Sequence, residues 1–140
     1  MNNKTLIMTI GLPRSGKSTW AGQQNVPVVN PDSIRLVIHG KAFDQAYERQ
    51  VWEVAHIMVK SLFLAGHKTV ILDATNVTHK RRSEWFDDTY DVKYKIFNTP
   101  KDECIKRAIS SKTEYLIPVI ERMSNQFEAP LDIDKILLID

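Results

Sequence analysis

Residues 11–19 read Gly11-Leu12-Pro13-Arg14-Ser15-Gly16-Lys17-Ser18-Thr19. Two glycines separated by four residues run straight into a lysine and two hydroxyl residues. An apolar, β-rich run, Thr5 to Ile10, stands directly before them, and a helix is predicted from Lys17 through Gln24. Strand, glycine loop and helix in that order constrain the chain more than any other feature. Gly11 and Gly16 let the backbone wrap closely around an anion. The free N–H groups at the helix start, together with the helix dipole, favour negative charge there. Lys17 then neutralises β- and γ-phosphate oxygens, and Ser18 offers its hydroxyl to Mg²⁺. The loop as a whole, Gly11, Pro13, Arg14, Ser15, Gly16, Lys17, Ser18 and Thr19, is the expected cradle for ATP with Mg²⁺.

The rest of the chain is sized for one domain over 1–140. A net charge of +2 is too small to imply a polyanionic partner by itself. Four histidines at scattered spacings and the single Cys104 give no metal or disulfide framework. No signal peptide pattern is visible, and no stretch is apolar for long enough to span a membrane. The expectation is a soluble protein of a reducing compartment such as the cytoplasm.

Strand and helix patterns alternate throughout. Val26–Asn30 reads as a second strand, with Pro27 tolerated near its start. Asn30 is placed as an N-cap with Pro31 at the first helical position. That helix is predicted to run to about Ile38. A long helix follows from Asp44 to Ala65, with Val51, Val54, Ala55, Met58 and Leu62 at helical spacing. Thr69-Val70-Ile71-Leu72 is a continuous apolar run of the kind buried in parallel sheets. Lys80 to Asp88 is predicted helical, and Val92–Phe97 is a fourth strand. Thr99-Pro100-Lys101-Asp102 has the form of a capping box opening another helix, whose inward face is Cys104, Ile105, Ala108 and Ile109. A last helix begins near Pro118 with Val119, Ile120, Met123 and Phe127 inward, and Lys135–Ile139 reads as a fifth strand. The alternation predicts an α/β fold, a five-stranded parallel sheet with helices on both faces, and ligands at the carboxyl ends of its strands.

Several charged residues fall at those ends. Asp32, just past the second strand, is either a base that holds and deprotonates a hydroxyl or an acid that simply favours the helix dipole. Arg35 shares its helical face and is either a fork for an acceptor phosphate or a surface ion-pair partner. Asp73 ends the buried third strand, where a lone carboxylate is costly. It suits a Mg²⁺ position reached through water. Thr75 and Asn76 either bond substrate or build a local turn. Lys80, Arg81 and Arg82 cluster at a helix start, where cations oppose the dipole. They mark an anionic partner or a solvated face. Lys106, Arg107 and Lys112 flank an irregular segment, where a lid could bring a base onto the transferring phosphate.

Together these motifs resemble the polynucleotide kinase-like branch of the P-loop kinases, an AAA-type ATP-binding domain, over nearly the whole chain. The resemblance is carried by the loop with its Trp20-Ala21 continuation, by Asn30-x-Asp32-x-x-Arg35, by Asp73-Ala74-Thr75-Asn76 followed by Arg81-Arg82 and Trp85, and by Phe127-Glu128-Ala129-Pro130. It implies a three-layer P-loop NTPase sandwich. It implies Asp32 as general base toward a 5′-hydroxyl, with Arg35 on the neighbouring phosphate. Arg107 aligns with the first of two lid arginines, and Ser110-Ser111-Lys112 replaces the second, leaving Lys112 as the substitute. The expectation is a Mg²⁺- and ATP-dependent kinase. Lys17, Asp32 and Arg35 are its catalytic residues. Arg107 and Lys112 lie over the nucleotide, and Asp73, Thr75, Asn76 and Arg82 line the acceptor side. The leading acceptor is a DNA or RNA 5′-hydroxyl end. A small alcohol such as a nucleoside or sugar is the alternative, and a nucleotide-binding module with slow hydrolysis is the third reading.

Overall fold

The computed structural model describes residues 2–137. Strand β1 (Thr5–Ile10) leads through the glycine loop into α1 (Lys17–Gly22), then β2 (Val28–Val29) and α2 (Pro31–His39). A single 3₁₀ turn at Gln45–Tyr47 feeds α3 (Glu48–Leu64), and β3 (Thr69–Leu72), α4 (His79–Ser83) and β4 (Asp91–Ile96) follow. The chain then forms α5 (Lys101–Ser110) and α6 (Ile117–Gln126). The strands lie in the order β2-β3-β1-β4, and every pairing is parallel. Thr5 pairs with Thr69 on one side and Asp91 on the other, so β1 is interior and both its neighbours start level with it.

Pattern explains most of this. On β1 the alternate residues Leu6, Met8 and Ile10 are fully buried and face α3, whose Val51, Ala55, Val59 and Phe63 recur every four residues. Val29, Ile34, Val70, Leu72, Trp85, Val92 and Tyr94 complete that core. The β1-to-β2 connection runs against the direction of the later ones, so right-handed crossovers put α1 on the opposite face from α2, α3 and α4. A second, smaller cluster joins Leu12 of the glycine loop to Cys104, Ala108 and Ile120 of α5 and α6. The helical pair therefore packs onto the loop itself.

Five expectations change. The sheet has four strands among the described residues, not five. Where the fifth was expected there is a 3₁₀ turn at Ile133–Lys135, then one parallel bridge from Ile136 to Tyr94, with Leu137 N–H donating to Tyr94 C=O at 2.9 Å. Residues 138–140 lie outside the described part. Second, β2 contracts to two residues. It is an edge strand paired only with β3, and Pro27 contributes a carbonyl, to Ile71 N–H, but no donor. Third, α4 ends at Ser83, five residues early. Fourth, Thr99 caps nothing. Pro100 occupies the N-cap of α5, and the Thr99 hydroxyl instead donates to Ser15 C=O at 3.0 Å. Ile109 and Phe127, expected inward, are exposed.

Trp85 anchors the helical side of the core. It is 1% exposed, stacks on His56 at 3.7 Å between ring centroids, and meets Trp52 edge-on at 6.4 Å. Trp85→Ala is expected to lower the unfolding free energy by about 3–5 kcal/mol, measured by urea denaturation.

Candidate active site

The glycine loop closes on itself for two different reasons. Gly16 sits at φ +103°, a left-handed conformation that a side chain would strain. Gly11 is required by space: a Cβ there would lie 2.6 Å from Ser15 Oγ and 2.9 Å from Phe97 Cβ. Its N–H donates to Thr75 C=O at 3.1 Å, tying the loop to the segment after β3. Gly16 is also the N-cap of α1 and offers no side-chain cap, so the first-turn amides remain available to an anion. Pro13, Arg14 and Ser15 form the arch, Arg14 at φ +67°, and Ser18 and Thr19 are exposed on the first turn of α1.

Lys17 is 8% exposed and curls back into this arch, donating to Leu12 C=O at 2.6 Å and lying 3.4 Å from Ser15 Oγ. Burial pushes its pKa down to about 8, while the charges of Asp73, Cys104 and Asp32 pull it back up. Asp32 is thus within electrostatic reach of Lys17.

Asp73 sits at the centre. Its carboxylate is nearly buried, accepts from the Ser18 hydroxyl at 2.7 Å and from Asn30 Nδ2 at 3.3 Å. Asn30 in turn uses Oδ1 to accept the Asp32 N–H at 2.8 Å, capping α2. Ser18, Asp73, Asn30 and Asp32 therefore form one continuous hydrogen-bonded line from the loop to the start of α2. The hydroxyl and carboxylate are adjacent oxygen donors, which fits a hard cation such as Mg²⁺. Mg²⁺ characteristically takes one or two protein oxygens and fills its shell with water and phosphate.

Arg35 lies next along α2. Its guanidinium is gripped by Glu48 from the start of α3, Nε to Oε2 at 2.9 Å and NH2 to Oε1 at 2.7 Å, and NH1 donates to Asp32 Oδ1 at 2.7 Å. Burial opposes its charge, but the Glu48 fork and Asp32 outweigh that and hold its pKa above the ordinary arginine value. The Asp32 side chain is 77% exposed and Arg35 and Glu48 are 14% exposed each, so a fixed cation presents a carboxylate to solvent. Glu48 was not identified from sequence. Thirteen residues separate it from Arg35, and only the packing of α2 on α3 joins them.

The segment after β3 is built rather than free. The Thr9 hydroxyl accepts from Ala74 N–H at 3.1 Å and donates to Ala74 C=O at 2.8 Å. Asn76, at φ +46°, donates from Nδ2 to Thr9 C=O at 2.8 Å, and its Oδ1 is buried without a hydrogen-bond partner among the described residues. Thr75 contributes its carbonyl to Gly11. Arg82, expected on the acceptor side, is seated in the interior at 1% exposure. It donates to Asn76 C=O at 2.8 Å, Val77 C=O at 3.1 Å and Glu128 C=O, a fork that pins this segment to the stretch after α6. Arg107 reaches the arch, NH1 to Arg14 C=O at 3.2 Å, with Nε on Glu103 Oε1 at 3.3 Å. Lys112 stands at the exposed end of α5 at φ +59°.

Residues 6–130 match the family model described as an AAA domain, so the chain belongs to that family. Its architecture is the α/β fold of the P-loop kinases. Its fold is shared by a structure of the Pnkp1/Rnl/Hen1 RNA repair complex, 23% identical with TM-score 0.68 over 91% of this chain and 47% of that one. A second structure of the Pnkp1/Rnl/Hen1 complex is 28% identical, TM-score 0.67, over 76% of this chain and 40% of that one. The chain thus spans less than half the length of either. A gluconokinase from Sinorhizobium meliloti 1021 is 13% identical, TM-score 0.64, over 98% of this chain and 82% of that one. The Mycobacterium tuberculosis APS kinase CysC, in complex with AMPPNP and APS, is 16% identical, TM-score 0.65, over 98% and 89%. No helix among the described residues is long and apolar enough to cross a membrane.

Two outcomes are expected from this geometry. A lysine amine meets fewer carbonyls than the flat Arg82 fork, so Arg82→Lys should cost about 1.5–3 kcal/mol of unfolding free energy, read from urea melts. Lys17 ordinarily titrates near 10.5 and is lowered to about 8 in the fold. Between those values the unfolded chain holds more protons, so Lys17 costs stability below the window and stability rises as pH climbs through it. Phosphates bound beside Lys17 reverse the depression. Calorimetry of ATP binding in buffers of different ionisation enthalpy should therefore show uptake of up to about half a proton near pH 8, fading toward acid pH.

Proposed function

We propose that this chain transfers the γ-phosphoryl group of ATP to the 5′-hydroxyl end of DNA or RNA. One arrangement carries the reading: Asp32, held by Arg35 and joined through Asn30 and Asp73 to Ser18, stands across from Lys17. Lys17 and the first-turn amides of α1 hold the triphosphate. Ser18 and Asp73 would hold Mg²⁺, which would supply positive charge to offset that of the phosphates. Asp32 accepts the proton as the acceptor oxygen bonds to the γ-phosphorus and the bond to the ADP oxygen breaks. Arg35 positions the phosphate beside that hydroxyl and keeps the Asp32 carboxylate oriented. Arg107, already on the arch, is placed for the transferring phosphate; Lys112 reaches it by movement of the α5 end. Thr75 and Asn76 shape the floor between the two sites.

The Pnkp1 neighbours support the nucleic-acid acceptor. The gluconokinase and APS kinase support a small alcohol instead, since they match this chain over most of their own length. Transfer of labelled phosphate from ATP, run against 5′-hydroxyl oligonucleotides and a panel of small alcohols, separates the two. Asp32→Asn should reduce kcat by about 10²–10⁴-fold with ATP affinity retained. An unchanged rate of ATP hydrolysis with no transfer to any acceptor would leave a nucleotide-binding module as the reading.

A further inference from the structure

The basic cluster at the start of α4 divides in the structure. Arg82 turns inward and spends its donors on carbonyls. Arg81 turns the other way and sits over Trp52, with its guanidinium carbon 4.1 Å from the ring centroid. Trp52 projects from α3 one turn after Glu48, and the Arg35 guanidinium lies over the same ring at 6.0 Å. Two arginines from two helices thus share one indole, and one of them is the arginine locked beside Asp32.

The two are in opposite states. Arg35 is 14% exposed and its Nε, NH1 and NH2 are all engaged by carboxylates. Arg81 has a side chain 39% exposed, and its one hydrogen-bond acceptor among the described residues is the half-exposed Glu84, NH1 to Oε1 at 3.1 Å. Stacking uses the face of a guanidinium and leaves its in-plane N–H donors free for the paired oxygens of a phosphate. An exposed ion pair one turn along a short helix is worth little and is readily exchanged for a phosphate. Lys80, exposed beside it, adds charge of the same sign. An acceptor bearing a single phosphate needs only Arg35. A second, prealigned cation across the same ring has a use only for an acceptor that carries another phosphate farther along.

We propose that Arg81, stacked on Trp52, is a second phosphate seat, contacting a phosphate of the acceptor strand downstream of the one at Arg35. The inference rests on the nucleic-acid reading given above and narrows it: the site takes a single strand of several nucleotides in preference to a lone nucleoside phosphate. Arg81 acts in binding and takes no part in the proton transfer.

The test compares two acceptors, a nucleoside 3′-monophosphate and an eight-nucleotide 5′-hydroxyl oligonucleotide, with wild type, Arg81→Ala and Arg81→Lys. For Arg81→Ala, KM for the oligonucleotide should rise several-fold with kcat unchanged, and the nucleoside 3′-monophosphate should be unaffected. The slope of log KM against log salt for the oligonucleotide should fall by about 0.7–1. Arg81→Lys should recover part of the loss. Thermal melts of each variant report the fold separately. Equal effects on both acceptors, or no effect on either, would overturn the second seat while leaving the kinase reading intact. Wild-type protein that phosphorylates neither acceptor would overturn both.

Discussion

The Asp73 carboxylate is the joint on which the site depends. A charged group at the end of a buried strand is expensive to desolvate, and here it is stabilised from two directions, by the Ser18 hydroxyl and the Asn30 amide. Those two partners belong to α1 and to the cap of α2, elements on opposite faces of the sheet. One side chain from β3 thereby fixes the spacing between the glycine loop and the start of α2, where Asp32 stands. The parallel register makes this possible. Met8 pairs with Leu72, so β1 and β3 deliver the glycine loop and Asp73 to the same edge.

What could be read from sequence was whatever is local. The strand–glycine loop–helix order, the Asn30-Pro31 cap and the apolar run before Asp73 depend on residues close together in the chain, and the structure has all three. Glu48, Trp52 and the posture of Arg81 depend on how α2, α3 and α4 settle together, and no spacing along the chain encodes that. Arg81 and Arg82 show the same limit: adjacent helical residues point about 100° apart, and the sequence does not say that Arg82 is the inward one. Thr99 shows a different failure. The helix begins one residue later, with Pro100 at its N-cap, and the Thr99 hydroxyl donates to Ser15 C=O, far away in the chain. The two-residue β2 and the four-stranded sheet show that β propensity overstates pairing at an edge, where only one neighbour is present.

The α5–α6 pair is held at both of its ends, and the holdings land on functional ground. At its beginning Thr99 grips Ser15 in the arch. At its finish Glu128 takes the Val77 carbonyl through its N–H and the His79 N–H through its side chain, while Arg82 clasps its carbonyl. Such a pair is no free-swinging flap. It works as a yoke: a tilt that carries Arg107 toward a phosphate must also tug the Asn76–His79 stretch on the far bank. The glycine arch and the Asn76–His79 stretch are thereby tethered to one and the same helical pair.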